Sequence, residues 1–227
     1  MDKDNKRLKD LEVERWDSLY GDSSKRKWAV CHCCALERIR RRKELCLDWL
    51  NVQKGELILD LGCDGGHYGL EIVEKGGRWI GLDTSLDMLL SGKQRFVKQN
   101  CGGHFINGDM FNLPFKKEIT DSVICIGVIN YYTLGEINSM LREINRVVRF
   151  GGRLLLTNLR FDFLTYVRSR LPQLFPRPLR LPGPLYPHKK VNMITLLKNN
   201  SFSLKRIQEV KKYGFLPYFT MMEVEKT

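Results

Sequence analysis

The most constraining feature of this chain is a rhythm that begins after Glu56. Short apolar runs recur at helix-length intervals, and the first four end in glycine or an acid. Leu57–Leu61 runs into Gly62-Cys63-Asp64-Gly65-Gly66, and Arg78–Leu82 into Asp83. His104–Asn107 runs into Gly108-Asp109, and Ser122–Ile126 into Gly127. A fifth run, Arg153–Thr157, follows Gly151-Gly152 and a helix pattern built on Ile137, Leu141, Ile144 and Val148. Short runs of continuous apolar residues bounded by glycines are expected of strands buried on both faces. With crossover helices between them they form an open, mostly parallel α/β sheet.

The rest of the chain is arranged around that core. Residues 1–50 read as a helical cap, broken near Gly21-Asp22-Ser23-Ser24, and residues 51–160 hold the core. Residues 161–192 carry Pro172, Pro176, Pro178, Pro182, Pro184 and Pro187, which exclude a long helix and mark a lid, with one short helix over Phe163–Leu171. Residues 193–227 close the same domain with a helix over Met193–Asn199 and strands over Ser203–Val210 and Phe219–Glu225. A length of 227 residues fits one such domain with appendages.

No apolar run approaches the roughly 20 residues of a membrane span. The start, MDKDNKRLKD, has no apolar signal region, so a cytoplasmic protein is expected. Seven cysteines, an odd number without small-scaffold spacing, read as reduced thiols. Cys31-His32-Cys33-Cys34 lacks the second pair that a structural zinc site needs, so no metal is expected there.

The net charge of +12 is concentrated late: residues 160–213 hold twelve Lys/Arg against Asp162 and Glu209. Interleaved with Phe161, Phe163, Tyr166, Leu171, Leu174 and Phe175, these cations suit an anionic substrate, a transient contact with an acidic membrane surface or nucleic acid. A plainly solvated charged face is the alternative.

The loop after the first strand carries the strongest chemical signal. Its glycines allow a sharp turn and close approach to a ligand, and the following helix offers free N–H groups. A dinucleotide fingerprint requires glycine where Asp64 stands, and a carboxylate there repels a pyrophosphate. Asp60, Asp64, Asp83 and Asp109 instead suit a ligand with a positive centre and hydroxyls, such as a sulfonium nucleoside. Asp83 is placed for ribose hydroxyls and Asp109 for an adenine amino group.

With these residues in view, the chain resembles the class I S-adenosylmethionine-dependent methyltransferases over roughly residues 55–160. ILDLGCDGG resembles their first motif, LDTSLDML the acidic second, INGDMFNLPF the third and DSVICIGVINYY the fourth, followed by LREINRVVRFGGRLLLT. The resemblance implies a Rossmann-like, seven-stranded, mostly parallel sheet with an antiparallel C-terminal strand. It also implies S-adenosylmethionine as cofactor, with S-adenosylhomocysteine as product. Asp60 would orient the loop and the amino end of the cofactor, with Gly62, Asp64 and Gly66 lining it. Asp83 would take the ribose, near Thr84 and Met88; Asp109 and Met110 would hold the adenine; Ile126 and Gly127 would pass under the methionyl part. Tyr20 and Trp16 either fold over the cofactor or pack in the core.

The acceptor is approached by elimination. The N/D-P-P-Y/F motif of amino methylation, a Pro-Cys nucleophile and the paired glutamates of protein-arginine enzymes are all missing, which disfavours nucleic acid and leaves a small-molecule acceptor. Tyr131 and Tyr132 are candidates for its pocket. His188 is the candidate general base, whereas His67 reads as a helix-start residue. The segment FDFLTYVRSRLPQLFPRPLRLPGPLYPHKK loosely resembles the insertion of magnesium-protoporphyrin O-methyltransferases. An apolar acceptor with an anionic group would there meet Arg168, Arg170, Arg177 or Arg180. The alternatives are a non-catalytic cofactor-binding subunit, or an RNA- or membrane-surface-binding protein using the basic segment.

Overall fold

The computed structural model describes residues 32–159, 186, 188–212 and 216–227, with side chains outside 32–39, 211–212 and 216–218. Trp16, Tyr20, the break at Gly21–Ser24, Cys31, the helix expected over Phe163–Leu171 and the lid arginines Arg168, Arg170, Arg177 and Arg180 lie outside the described residues.

Helix α1 (His32–Leu50) leads to β1 (Leu57–Leu61), α2 (Gly69–Glu74), β2 (Arg78–Asp83), α3 (Leu86–Lys98) and β3 (His104–Asn107). Then come β4 (Thr120–Cys125), a 3-10 turn at Ile129–Tyr131, α4 (Leu134–Val147), β5 (Val148–Leu159), α5 (Lys190–Asn199), β6 (Phe202–Lys212) and β7 (Leu216–Lys226). The sheet order is β3-β2-β1-β4-β5-β7-β6, and only β7 runs antiparallel to its neighbours. This is the Rossmann-like sheet that the strand rhythm and the resemblance imply.

Several bounds differ from the sequence expectation: β4 is Thr120–Cys125 rather than Ser122–Ile126, and the closing strands extend to Phe202–Lys212 and Leu216–Lys226. Strand β5 begins at Val148 rather than Arg153, because the ladder to β4 shifts register between Thr120 and Ser122 and continues past Gly151-Gly152. The glycine pair is an irregularity inside the strand, not its stop. Helix α4 begins at Leu134, behind a capping box in which the Thr133 side chain accepts from the Glu136 N–H and Glu136 accepts from the Thr133 N–H. Helix α5 begins at Lys190, three residues before Met193.

Alternate residues of the central strands feed two cores. Leu59, Leu61, Val123, Leu154 and Leu156 face one side, where α4 buries Ile137, Met140, Leu141, Ile144 and Val147. Ile58, Ile124 and Leu155 face the other, against Cys46, Trp49, Leu50, Ile72 and Trp79. Each such aliphatic side chain contributes about 1.5–3 kcal/mol on burial. Strand β1 is therefore buried along its whole length, as its unbroken apolar run requires.

Arg153 locks α1 to this sheet. It donates to the carbonyls of Trp49 and Leu50 at the helix C-terminus, at 3.3 and 2.7 Å, and pairs with Glu56 at 2.9 Å and Glu223 at 3.4 Å. A cation there satisfies the last carbonyls and complements the helix dipole. The docking fixes which residues of α1 overhang the C-terminal ends of the strands.

Candidate active site

The chain passes from β1 to β2 to β3 on one side of the sheet and then crosses to β4 on the other. Ligands of open α/β sheets bind at such a switch point, outside the strand C-termini. The loop at residues 60–66 lies there. Gly62, Asp64 and Gly66 all have left-handed backbones, with φ of 68°, 52° and 70°. Every second residue turns the chain back, which glycine allows and aspartate tolerates better than most. Gly62 is also fixed by packing: a Cβ there would lie 2.5 Å from Val128 Cγ2, so the loop after β4 rests on the loop after β1.

Asp64 is built into this turn. Its N–H donates to Asp83 Oδ2 at 2.9 Å, and its own Oδ1 accepts from the Gly65 N–H at 2.7 Å. Its Oδ2 lies 3.6 Å from His67 Nε2. Arg95 of α3 donates to the Gly65 carbonyl and meets His67 Nδ1 at 3.3 Å, bracing the loop from outside.

Beneath the loop stands an aromatic cluster. Trp79 stacks on Phe96 at 5.1 Å between centroids, and Phe105 meets both edge-on at 4.9 Å. Trp79 Nε1 donates to Asp60 Oδ2 at 3.3 Å. The loop approaches this cluster closely enough that a Cβ on Gly66 would lie 3.0 Å from Trp79 and Phe105, and the first turn of α2 comes closer still, with a Cβ on Gly69 2.6 Å from the indole.

Three carboxylates thus gather with little compensating charge. Burial pushes Asp60 up to about 8, assisted by Asp83 and Asp64 and opposed by the Trp79 hydrogen bond. Asp83 is also raised, mainly by burial, against hydrogen bonds from the backbone of Ser85 and Asp64. Its Oδ1 accepts from the Ser85 N–H at 2.9 Å. Ser85 in turn caps α3 by accepting from Met88 N, which draws Met88, buried, to the rim. Asn107 at the end of β3 donates to the carbonyls of Asp83 and Thr84 at 3.2 and 2.9 Å. Asp109 Oδ1 accepts from the Phe111 N–H at 2.9 Å in a local turn that places buried Met110 beside it.

On the other side of the switch point, Ile126 is buried and Gly127, at φ 84°, donates to Thr157 Oγ1 at 2.8 Å. The segment that follows is held by a neutral polar cluster. Asn130 donates to Asn158 Oδ1 at 3.2 Å and accepts from Leu159 N at 2.9 Å, while its carbonyl accepts from Tyr186 N at 2.7 Å. Asn158 donates to the His188 carbonyl at 2.9 Å. The His188 ring is buried, with Nε2 2.9 Å from the Tyr132 carbonyl, and burial pushes its imidazole below the usual range. Tyr132 meets Phe111 edge-on at 5.1 Å.

The structure places Asp60, Gly62, Asp64, Gly66, Asp83, Thr84, Met88, Asp109, Met110, Ile126 and Gly127 at or just after the C-terminal ends of β1 to β4. Tyr131, Tyr132 and His188 gather beyond β4. In His188 the nitrogen offered as a base is engaged with a backbone carbonyl. The sequence reading missed Arg42, whose guanidinium lies over Gly127, and Tyr68, whose hydroxyl hydrogen-bonds to Arg42. It also missed the Asn130–Asn158 pair. The only sequence signal for Arg42 was the basic run Arg40-Arg41-Arg42-Lys43, which reads equally well as a solvated face.

Residues 58–152 match the family described as "Methyltransferase domain". The chain is 37% identical over 106 residues to a demethylmenaquinone methyltransferase of Corynebacterium kroppenstedtii, covering 46% of this chain and 42% of that protein. It is 25% identical over 203 residues to a magnesium-protoporphyrin O-methyltransferase of Synechocystis, covering 85% of this chain and 83% of that protein. A crystal structure of magnesium protoporphyrin IX methyltransferase from Synechocystis with bound SAH superposes with a TM-score of 0.71 at 23% identity, over 96% of this chain and 94% of that one. The chain spans about half the length of the demethylmenaquinone relatives it matches. At these identities the solved structures establish the fold.

Proposed function

We propose, from the premise that residues 58–152 are a class I S-adenosylmethionine-dependent methyltransferase domain, that the chain transfers the cofactor's methyl group to a small-molecule acceptor. The observation that carries this reading is the set of like charges gathered at the switch point, with Asp60 buried and Asp64 and Asp83 partly so. Asp83 and Asp64 raise the proton affinity of Asp60, and Asp64 raises that of Asp83. Burying like charges without a cation is unfavourable, and a ligand with a positive centre and hydroxyls relieves it.

When bound, the cofactor supplies a methyl group on a sulfonium, whose departure as a neutral thioether makes it a good leaving group. The acceptor's lone pair forms the new bond to the methyl carbon as the carbon–sulfur bond breaks, and its proton passes to a base or to water. The protein's contribution is alignment and exclusion of water, which supply much of the rate when the leaving group is good. Asp83 would hold the ribose hydroxyls with the oxygens that already order Asp64 and Ser85. Asp109 and Met110 would enclose the base, and Ile126 and Gly127 would bound the methionyl end. Tyr131 and Tyr132 line the acceptor side, and His188 borders it.

The two relatives' names give demethylmenaquinone and magnesium protoporphyrin as acceptors, which supports a small molecule rather than nucleic acid or protein. The finer reading is an apolar acceptor with an anionic group, met by Arg168, Arg170, Arg177 or Arg180. Arg→Ala changes there should raise the acceptor KM and leave cofactor affinity intact.

The first test is a calorimetric titration with S-adenosylhomocysteine, with NAD as control. Micromolar binding of the former alone, followed by cofactor-dependent mass gain of a quinol or porphyrin acceptor, is expected. Absence of binding overturns the reading.

A further inference from the structure

The segment that carries Asp109, Met110 and Phe111 has no helix or strand of its own, and its place on the sheet is set by another element. We propose that the Glu143–Arg146 pair of α4 positions this segment and thereby sets the site's selectivity for the adenine base. This inference rests on the cofactor reading above, in which Asp109 would accept from the amino group of the base. It adds the residues that fix where Asp109 stands.

Residues 108–119 join β3 to β4. The backbone groups of such a connection need partners wherever it is packed against the core. At its start, the Asp109 side chain accepts from the Phe111 N–H and the Asp109 carbonyl accepts from the Asn112 N–H at 3.1 Å. This turn fixes the local shape of the segment but not its height along the sheet. At its end, the N–H groups of Glu118 and Ile119 donate to the carbonyls of Arg146 and Val147 at 2.9 and 2.8 Å. Between the two, the partners are side chains. Glu143 Oε2 accepts from the Leu113 N–H at 2.8 Å, and Arg146 donates to the carbonyls of Leu113 and Phe115 at 2.9 and 2.6 Å. Pro114, which lies between them, has no N–H to place.

The pair is suited to this work. Arg146 Nε and Nη2 meet the two oxygens of Glu143 at 2.9 and 2.7 Å, a bidentate contact that holds the Glu143 carboxyl below the usual range. A partly exposed ion pair contributes little by itself. Pairing a carboxylate while reading two carbonyls requires the planar, five-donor fork of arginine. Met110 and Leu113 are buried in the core that α4 lines, so the segment cannot slide along the helix without exposing them. Near the start of α4, Phe111 meets Tyr132 edge-on, next to the Thr133 capping box. One rigid helix thus grips the segment at both ends, and the Glu143–Arg146 pair is the polar part of that grip.

The test separates positioning from stability by comparing two bases. Wild type, Arg146→Met and Arg146→Lys are titrated with S-adenosylhomocysteine and with S-inosylhomocysteine, in which a carbonyl replaces the amino group of the base. Wild type should bind the former at least about tenfold more tightly, as expected of one charge-assisted contact. Arg146→Met should bring the two affinities to within about threefold of each other, and Arg146→Lys, which still reaches one carbonyl, should fall between. A lower Tm with the wild-type affinity ratio in Arg146→Met would mean that the pair only stabilises the fold, and would overturn the proposal. Equal affinity of wild type for both ligands would also overturn it, while leaving the cofactor reading in place. A measurement on wild type keeps the test independent of the variants' folding. Without ligand, the Leu113 amide should already be protected from hydrogen exchange, because Glu143 accepts from it. Protection that arises only with S-adenosylhomocysteine would mean that the ligand places the segment, and would refute the positioning role. Binding of neither ligand by wild type would remove the cofactor reading itself, an outcome distinct from failure of the pair.

Discussion

The two sides of the switch point both bury polar groups, but in opposite ways. On the β1–β3 side, burial raises Asp60 to about 8, and the neighbouring carboxylates of Asp83 and Asp64 push it in the same direction. On the β4–β5 side, Asn130, Asn158, Thr157 and His188 are neutral groups whose donors meet carbonyl, amide or hydroxyl acceptors at 2.8–3.2 Å. A satisfied neutral cluster stabilises the fold whether or not a ligand is present. A cluster of like charges is a standing cost that a ligand of the right charge relieves. The first arrangement is shaped by what it binds, and the second by the chain segments it joins.

The sharpest way to break that contrast is at Asp83. Its two oxygens accept from Asp64 and Ser85, so its removal also loosens the loop. Asp83→Ala should weaken S-adenosylhomocysteine binding by about 100-fold or more, as two charge-assisted ribose contacts are lost. Asp83→Asn keeps the size and one acceptor, and should still lose about tenfold. Wild-type affinity in the Asn variant, read by calorimetry, would make the Asp83 charge irrelevant to binding.

Asp60 offers the next largest effect, and its sign is opposite for stability and for binding. Its carboxyl is raised from 3.8 to about 8 in the folded protein. A raised carboxyl leaves the fold unpenalised below the unfolded value, and the stability it contributes is lost as pH rises through the folded value. Asn cannot ionise and still accepts from Trp79. Asp60→Asn should therefore match wild type in Tm at pH 4 and exceed it at pH 9, while binding S-adenosylhomocysteine at least about tenfold more weakly. In wild type, an incoming ammonium favours the ionised carboxylate, so binding at pH 7 should release a proton and at pH 9 should not. Titrations in buffers of different ionisation enthalpy read this directly, and equal enthalpies at pH 7 would sink it.

On the other side the prediction reverses. Asn158→Ala leaves the Asn130 amide and the His188 carbonyl without partners, at about 1–3 kcal/mol. For a chain of this size that corresponds to a Tm lower by several degrees, at roughly 2–4 °C per kcal/mol. Cofactor affinity should be unchanged, because no carboxylate of the cofactor side is touched. A loss of S-adenosylhomocysteine affinity matching the loss of stability would erase the distinction between the two clusters.

The contrast also explains what could be read from the sequence. The charged cluster lies at the ends of consecutive strands, so a run such as ILDLGCDGG carries both the strand and its acid, and Asp83 follows Leu82 directly. Asp64 stands where a glycine is usual and still takes the left-handed turn, whereas Gly65, its neighbour, does not need one. The neutral cluster joins residues 28–56 apart that share no local pattern. Arg42 was hidden for the same reason: its position depends on Arg153 grasping the end of α1 across 103–104 residues. The T-x-x-E signature of Thr133–Glu136 was local and legible, and only the helix periodicity was used.

The smallest expected effect is at His188, where the two kinds of polar burial meet in one side chain. Its ring nitrogen lies 2.9 Å from the Tyr132 carbonyl, and burial pushes the imidazole below 6.5. Among the described residues, the forces on the ring are desolvation and the carbonyls of Tyr132 and Ile129. A depressed imidazole stabilises the fold above its unfolded value, and that contribution is lost as pH falls from 6.5 through the folded value. His188→Gln can still donate to Tyr132 and cannot titrate, so its Tm should fall less steeply than that of wild type between pH 6.5 and 5. If His188 acts chiefly as a strut, the Gln variant should keep most of the kcat near pH 7.5. If instead His188 takes the acceptor's proton, kcat should fall by about 10²-fold or more with acceptor KM unchanged. The first result would keep the neutral cluster purely structural, and the second would show that it reaches into the chemistry.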